Sequence, residues 1–436
     1  MEQPLPDSAP GVRPQEAPFG LLGRTLGHSW SPQIHKRLGS APYLLIELEP
    51  DELEPYVRSG RWRGLNVTIP YKREAAELAD EQSPRVQRVG AANTLVRRPD
   101  GTVFAENTDV LGFSWMLERF TRRAWGTPAA EVLAGAEALV LGSGGASRAV
   151  IDVLEQTGCR AAVISRSGSD TYATIVERHP RAVLVVNTTP VGMYPHCPDS
   201  PLAPQTLERL PRLRGVLDVV YNPRRTGLCL AAEKLGIPCE SGLAMLVSQA
   251  RFSSELFQGR SLDDALVEQI AEELHCQTQN IVLIGMPGAG KTSCGRRLAR
   301  ALGRPLVDLD QACAEKGGMP VPDYLHRFGE EAFRALETEV AREQGARSGL
   351  VIACGGGIVT RERNYPLLHQ NGAIVLLDRP LGELSSAGRP LSQNRGVDRL
   401  AAERMPAYRA WADLAISCTG SAEGDAQAIL QKLGYE

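Results

Sequence analysis

Gly285-Met286-Pro287-Gly288-Ala289-Gly290-Lys291-Thr292 is the stretch that decides the fold of the C-terminal third. It follows the apolar run Ile281-Val282-Leu283-Ile284 and opens an amphipathic helical pattern. A Gly-x-x-x-x-Gly-Lys-Thr spacing at a strand-to-helix turn is a phosphate cradle. Its glycines let backbone N–H groups converge on phosphate oxygens, and the helix N-terminus favours negative charge. In such a loop Gly288, Ala289, Gly290 and Ser293 line a nucleotide, Lys291 reaches its β- and γ-phosphates, and the Thr292 hydroxyl binds Mg2+. The expected chemistry is phosphoryl transfer from ATP.

Working outward, the next strand pattern is Val307-Asp308-Leu309-Asp310. Alternate residues of a strand share a face, so both carboxylates are expected to point at the phosphates; the alternative is a helix-capping aspartate beside a surface one. Phe333-Arg334-Ala335-Leu336-Glu337 comes next, then Cys354-Gly355-Gly356-Gly357 after an apolar strand at Leu350–Ala353, then Arg389-Pro390-Leu391 and Arg404-Met405-Pro406-Ala407-Tyr408. Singly, each arginine is an ordinary surface residue. In this order after a phosphate loop, the set resembles the shikimate kinase family from Asn280 to the C-terminus.

That resemblance implies a small P-loop kinase acting on the 3-hydroxyl of shikimate. Asp310 would hold substrate hydroxyls and act as base, and Arg334 and Arg404 would clamp the carboxylate with Gly356 against the ring. Asp308 would support the metal beside Thr292, Lys291 would serve catalysis, and Arg389 would reach the transferring phosphate from a closing lid. Guanidinium forks suit a carboxylate ligand, and phosphoryl transfer needs positioning and charge neutralisation. The chain departs from the family between Asp378 and Arg389, a stretch shorter than usual. The extra arginine normally found before Arg-Pro-Leu is absent, with Ser385 and Ser386 nearby.

A second glycine loop, Gly142-Ser143-Gly144-Gly145-Ala146-Ser147, follows the apolar run Ala138-Leu139-Val140-Leu141 and opens a helix pattern. Without Lys-Thr it suits a dinucleotide rather than a triphosphate. Ser165-Arg166-Ser167 ends the next strand. An acidic residue there would favour NAD; Arg166 suits the 2′-phosphate of NADP(H). Upstream lie Ser29-Trp30-Ser31-Pro32, Asn66-Val67-Thr68-Ile69-Pro70-Tyr71-Lys72, Gly90-Ala91-Ala92-Asn93-Thr94 and Glu106-Asn107-Thr108-Asp109. Small hydroxyl and amide donors around one lysine and one aspartate suit a small polyhydroxylated acid and a proton transfer. Individually these are also common turn and surface residues.

Together these motifs resemble the shikimate dehydrogenase family over about Phe19 to Arg260. The later runs Asn187-Thr188-Thr189-Pro190-Val191-Gly192-Met193, Asp218-Val219-Val220-Tyr221-Asn222-Pro223 and Gly242-Leu243-Ala244-Met245-Leu246-Val247-Ser248-Gln249-Ala250 continue the match. The resemblance implies NADPH-dependent reduction of 3-dehydroshikimate. Lys72 and Asp109 would form the catalytic pair. Ser29 and Ser31 would bind the carboxylate, and Thr68, Asn93, Asp109, Tyr221 and Gln249 would hold hydroxyls or orient the ring. Val219 and Gly242 would join the glycine loop and Ser165–Ser167 around the cofactor. Val110 stands where the family usually has glycine, and Ser-Arg-Ser replaces the commoner Asn-Arg-Thr. Ser31, rather than the bulkier threonine sometimes seen in quinate users, argues against quinate as the substrate.

The expected fold is α/β throughout: a discontinuous α/β substrate domain, a Rossmann NADP-binding domain, and a P-loop kinase domain with a parallel sheet. Continuous apolar strands predict parallel sheets covered on both faces. The expected boundaries are a disordered tail at 1–18, the substrate domain at 19–112 and 237–265, the Rossmann domain at 113–236, a helix end and linker at 266–279, and the kinase domain at 280–436. The polar run His275–Asn280 is the expected linker. At 436 residues the chain is too long for one core, and a formal net charge of -3 gives no field for nucleic acid or anionic membrane. Its 9 dispersed cysteines predict a reducing cytoplasm. The expected function is a bifunctional enzyme making shikimate and then shikimate 3-phosphate, with NADP(H), ATP and Mg2+ as cofactors. Alternatives are that one half only binds, or that the N-terminal half also oxidises quinate.

Overall fold

The computed structural model describes residues 18–27, 29–384 and 397–435. The expected tail up to residue 17, Ser385, Ser386 and the whole Arg389-Pro390-Leu391 run lie outside the described residues. The chain forms two compact units. One contains the chain up to Pro190 with Pro201–Tyr221 and Ala231–Glu272; the other contains Val191–Ser200, Asn222–Leu230 and Glu273 onward.

The first sheet of the first unit comprises β1 (Phe19–Gly23), β2 (Tyr43–Glu47), β3 (Gly64–Val67), β4 (Glu81–Gln82), β5 (Thr94–Arg97) and β6 (Val103–Glu106), in the order β2-β1-β3-β5-β6-β4. It is mixed, not parallel as its apolar runs suggest: β5 pairs antiparallel with both β3 and β6. The cause is local. The link between β5 and β6 is a tight turn with Gly101 at φ +88°, and parallel neighbours need a crossover of a dozen residues or more. The helix Leu243–Gln258 returns to this sheet. Phe257 stacks on Phe19 with ring centroids 5.2 Å apart, and a Cβ on Gly64 would fall 2.2 Å from the Phe257 ring. Asn66 on β3 donates to Ser253 on this helix at 2.7 Å.

The second sheet of this unit comprises β7 (Glu137–Leu141), β8 (Arg160–Ile164), β9 (Leu184–Asn187), β10 (Gly215–Asp218) and β11 (Cys239–Glu240). Its order is β11-β10-β9-β7-β8 and every pairing is parallel. The chain leaves β7 for β8 on one side and then crosses to β9 on the other, so the carboxyl end of β7 is a topological switch point, where open α/β sheets bind ligands. All five residues of β7 are buried, which explains its unbroken apolar run.

The second unit holds a third sheet, β13-β14-β12-β15-β16, again wholly parallel. Its strands are β12 (Asn280–Ile284), β13 (Leu306–Asp308), β14 (Val351–Ala353), β15 (Gly372–Asp378) and β16 (Leu414–Ser417). Two local expectations change here. The polar run at 275–280 is not irregular chain: the helix Ala265–Thr278 continues through it and β12 starts at Asn280. Thr278 Oγ1 donates to Leu274 O at 2.7 Å, and Gln279 N–H donates to His275 O, so these polar residues finish a helix. Nor does Val307–Asp310 form a strand throughout. β13 stops at Asp308, which caps the helix Leu309–Gly317 by accepting from the N–H groups of Asp310 and Gln311. A capping carboxylate satisfies helix donors that a strand does not have.

Candidate functional site

Each unit builds a site at the carboxyl ends of its strands. In the first unit, Lys72 opens a short helix after β3, and Asp109 lies in the first turn of the helix Thr108–Trp125. Lys72 Nζ donates to Asp109 Oδ2 at 2.7 Å, with both side chains partly exposed. Backbone bonds gather the other polar residues around this pair. Lys72 O accepts from Ala92 N–H, Val67 N–H donates to Asn93 O, and Asn93 Oδ1 accepts from Thr108 N–H at 2.7 Å. These bonds bring Thr68, Lys72, Asn93 and Asp109 together although they lie on separate elements. Asn107 caps the Asp109 helix by accepting from Val110 N–H. Val110 itself is buried in the core, so the position usually glycine is filled without opening the helix.

Ser29 Oγ donates to Ser31 Oγ at 3.1 Å and accepts from Ser31 N–H. Trp30 between them meets the Tyr221 ring at 5.2 Å, and burial raises the Tyr221 phenol above its ordinary pKa. Gln249 lies against the Asp109 helix, where a Cβ on Gly112 would fall 2.8 Å from its own Cβ. Behind Asn93, Thr94, Thr108 and Ser253 form a buried hydroxyl network at 2.9 to 3.1 Å. Sequence reading passed over this network, because its members are ordinary strand and helix residues until the helix Leu243–Gln258 returns.

The glycine loop of this unit starts at the end of β7. Gly142 has φ +101°, and a Cβ there would meet Thr189 at 2.8 Å. Among the described residues, Gly144 and Gly145 have no atom within 4 Å of an added Cβ, so their backbone offers an open approach at the start of the helix Gly145–Gln156. Ser147 Oγ closes the turn on Gly144 O at 2.6 Å. Gly242 has a different reason: its Cβ would fall 2.1 Å from Val219 O. Asn187 donates to Asp218 at 2.9 Å, tying the ends of β9 and β10. Ser143, Ala146 and the exposed Arg166 and Ser167 flank this switch point. Such a cradle fits a dinucleotide pyrophosphate.

In the second unit, Gly285, Gly288 and Gly290 hold φ of +142°, +92° and +94°, the region that only glycine adopts freely. Lys291 Nζ donates to Gly285 O at 2.8 Å and Met286 O at 3.0 Å, and is almost wholly buried. Thr292 Oγ1 donates to Asp308 Oδ2 at 2.7 Å. A hydroxyl and a carboxylate oxygen side by side are hard donors that fit Mg2+, which takes few protein ligands and completes its shell with water and phosphate. Asp308 therefore reaches the phosphate loop from the last residue of β13, where it also caps the next helix.

A cavity of about 300 Å³ joins this loop, including Gly288 and Ser293, to Asp310, Arg334, Gly356 and Arg404. Arg334 donates to Glu337 Oε2 at 2.8 Å, and both side chains are buried. Burial opposes the Arg334 charge, yet Glu337 and Glu330 hold its pKa above the ordinary value. Burial lifts the Glu337 carboxyl, against the pull of Arg334. Gly357 lies tight against this guanidinium: a Cβ there would fall 2.1 Å from Arg334 Nη1. Gly356 O accepts from both Arg404 Nη1, at 2.8 Å, and Tyr408 Oη. A further residue escaped the sequence reading: Arg379, just after β15, donates from Nε to Ala289 O at 3.2 Å and pairs with buried Asp425 at 3.3 Å. Its position directly after an apolar strand is the one signal the sequence offers for it.

A doubly wound sheet with a glycine turn at its switch point, beside a lysine–aspartate pair, defines a dinucleotide-dependent oxidoreductase; the second unit defines a P-loop phosphotransferase. Family models agree with both. One described as shikimate dehydrogenase substrate binding domain matches residues 21–95, and one described as shikimate kinase matches residues 287–434. A shikimate dehydrogenase (NADP(+)) of Clostridium perfringens is 32% identical over 281 residues, covering 59% of this chain and 98% of the relative. One from Oleidesulfovibrio alaskensis is 36% identical, covering 56% and 90%. The crystal structure of a chorismate mutase/shikimate 5-dehydrogenase fusion protein from Clostridium acetobutylicum superposes with a TM-score of 0.54 at 32% identity, covering 59% of this chain and 96% of that one. Shikimate dehydrogenase 1 from Peptoclostridium difficile gives 0.51 at 31%, covering 59% and 97%. The chain belongs to the shikimate dehydrogenase family. With the shikimate kinase domain that follows, it is a bifunctional enzyme of the shikimate pathway.

Proposed function

We propose that the first unit reduces 3-dehydroshikimate with NADPH and that the second phosphorylates the product, shikimate, with ATP. The observation that carries this reading is the Lys72–Asp109 pair at 2.7 Å in the same chain as a phosphate loop whose cavity holds Asp310 and Arg404. We assign the substrate domain to 19–112 with 237–265, the Rossmann domain to 113–236, and the kinase domain to 280–436. The chain's dispersed cysteines favour a reducing cytoplasm as its place of work.

When bound, NADPH supplies a hydride and Mg2+ neutralises the charge on the ATP phosphates. The protein groups do the rest. Lys72 stabilises or protonates the alkoxide forming on the substrate oxygen, and Asp109 keeps Lys72 aimed. Ser29 and Ser31 bind the substrate carboxylate. Thr68, Asn93, Tyr221 and Gln249 hold its hydroxyls and ring; Asn93, its Oδ1 engaged by Thr108, acts through its amide N–H groups. Gly142 to Ala146, Val219 and Gly242 receive the dinucleotide, and Ser165, Arg166 and Ser167 its 2′-phosphate.

In the second unit, Asp310 takes the proton from the 3-hydroxyl as Lys291 steadies the moving phosphoryl group. Arg334 and Arg404 bind the carboxylate, with Gly356 behind the ring. Gly288, Ala289, Gly290, Thr292 and Ser293 cradle ATP, and Thr292 with Asp308 holds the metal. Arg389, outside the described residues, is assigned to the transferring phosphate by family resemblance. Separate assays of the full chain test the reading. Lys72→Ala should abolish reduction and spare phosphorylation, and Lys291→Ala the reverse. Loss of both activities in either variant, or no ATP-dependent phosphorylation of shikimate by the unaltered chain, would refute it.

A further inference from the structure

The turn after β8 rests on a row of close polar contacts that no step above uses. Ser165 N–H donates to Asp170 O at 3.0 Å, and Ile164 bridges to Asp170. This closes the base of a turn carrying Arg166 and Ser167. The turn is compact: a Cβ on Gly168 would fall 2.5 Å from Ser165 Oγ. Asp170 Oδ1 is 2.7 Å from Arg178 Nη1, and Arg178 also donates to Ser169 O. His179 lies on the other side, with Nε2 3.2 Å from Asp170 Oδ1 and Nδ1 2.9 Å from Glu137 Oε1. Glu137 begins β7, is 5% exposed, and pairs with Arg160 of β8 at 2.8 Å.

The sequence Arg160, Glu137, His179, Asp170, Arg178 thus runs from the strand frame to the base of the turn. His179 and Glu137 are both buried. Replacing such a cluster by apolar residues is often neutral or stabilising, so it is weak evidence for a stability role. The tip it supports is exposed and carries the guanidinium that suits a phosphate.

We propose that His179 and Asp170 are positioning residues that hold the Ser165–Ser167 turn in the shape that receives the 2′-phosphate of NADP(H). The preference for a phosphorylated cofactor then depends on this buried relay and not on Arg166 alone. The proposal rests on the assignment of Arg166 to the 2′-phosphate, and Arg166→Ala is included to test that assignment separately.

The experiment is steady-state reduction of 3-dehydroshikimate by the full chain with NADPH and with NADH. Arg166→Ala should lower the NADPH-to-NADH preference in kcat/KM. His179→Gln and Asp170→Asn should each raise KM for NADPH roughly tenfold, as the turn loses the contacts at its base. KM for NADH and for 3-dehydroshikimate should stay within about twofold, because neither carries the 2′-phosphate that the turn receives. If His179→Gln does not fold, the isosteric Asp170→Asn carries the test. Loss of preference in Arg166→Ala with an unchanged ratio in the other two overturns the relay and leaves the Arg166 assignment standing. A parallel loss with NADH overturns it in favour of a purely structural cluster. An unchanged ratio in Arg166→Ala removes the assignment itself, and the relay with it.

Discussion

Gly357→Ala should disable the acceptor side of the kinase site while leaving its nucleotide side intact. A Cβ at residue 357 would fall 2.1 Å from Arg334 Nη1 and 2.2 Å from its Cζ. Ordinary contact begins near ~3.5 Å, so the guanidinium has to withdraw by roughly an ångström or more. That breaks its 2.8 Å bond to Glu337 Oε2. Glu337 Oε1 already makes no hydrogen bond among the described residues, so the carboxylate would lose its cation in a buried setting. A hydrogen bond between charged groups contributes about 2 kcal/mol, or about 30-fold in an equilibrium. Initial phosphorylation rates against shikimate at saturating ATP should show KM for shikimate raised about 30-fold, with KM for ATP within twofold. Adding the change to Arg334→Ala should cost nothing more, since both remove one interaction. An unchanged KM for shikimate, or effects that add, would refute the reasoning.

Three further outcomes follow from the same geometry. Asp308→Asn weakens the acceptor that Thr292 Oγ1 uses at 2.7 Å and removes a metal-binding charge, so half-saturation by Mg2+ should rise several-fold; chelation with EDTA should stop phosphorylation and leave reduction unchanged. Tyr408→Phe removes one of two donors on Gly356 O, the other being Arg404 at 2.8 Å, so KM for shikimate should rise about fivefold, the worth of one neutral hydrogen bond. Burial lowers the His35 pKa to about 3 from 6.5, so the folded state disfavours the imidazolium. The stability from neutral His35 is complete above pH 6.5 and is lost as pH falls from 6.5 towards 3. The loss is about 2 kcal/mol by pH 5, and His35→Gln should flatten that slope in denaturation midpoints of the first unit.

The two glycine loops were legible because their cause is local. An apolar run, a glycine at positive φ and a helix start lie within a dozen residues, and nothing distant is needed to recognise them. Asp308 shows where local reading stops. Its alternation with Asp310 looked like a strand face, and the helix start that turns it into a cap depends on where β13 ends. The polar run at 275–280 misled for a similar reason: exposed polar side chains finish a helix as readily as they make a linker. The mixed first sheet depended on the short turn at Gly101, which outweighed the apolar runs on either side.

By itself, the sequence determined two nucleotide-binding turns, their order, and the polar residues gathered near each. Backbone sterics and hydrophobic burial act over a few residues, so they are written in short spacings. The tertiary structure decided which of those residues meet. Lys72 finds Asp109, Arg334 comes up against Gly357, Gly64 makes room for Phe257, and His179 lies between Glu137 and Asp170. Each depends on packing or on a small clearance that short-range spacing does not encode. A buried pair, or a position closed to any Cβ, exists only once distant segments are brought together, and that happens when the sheets and their covering helices close.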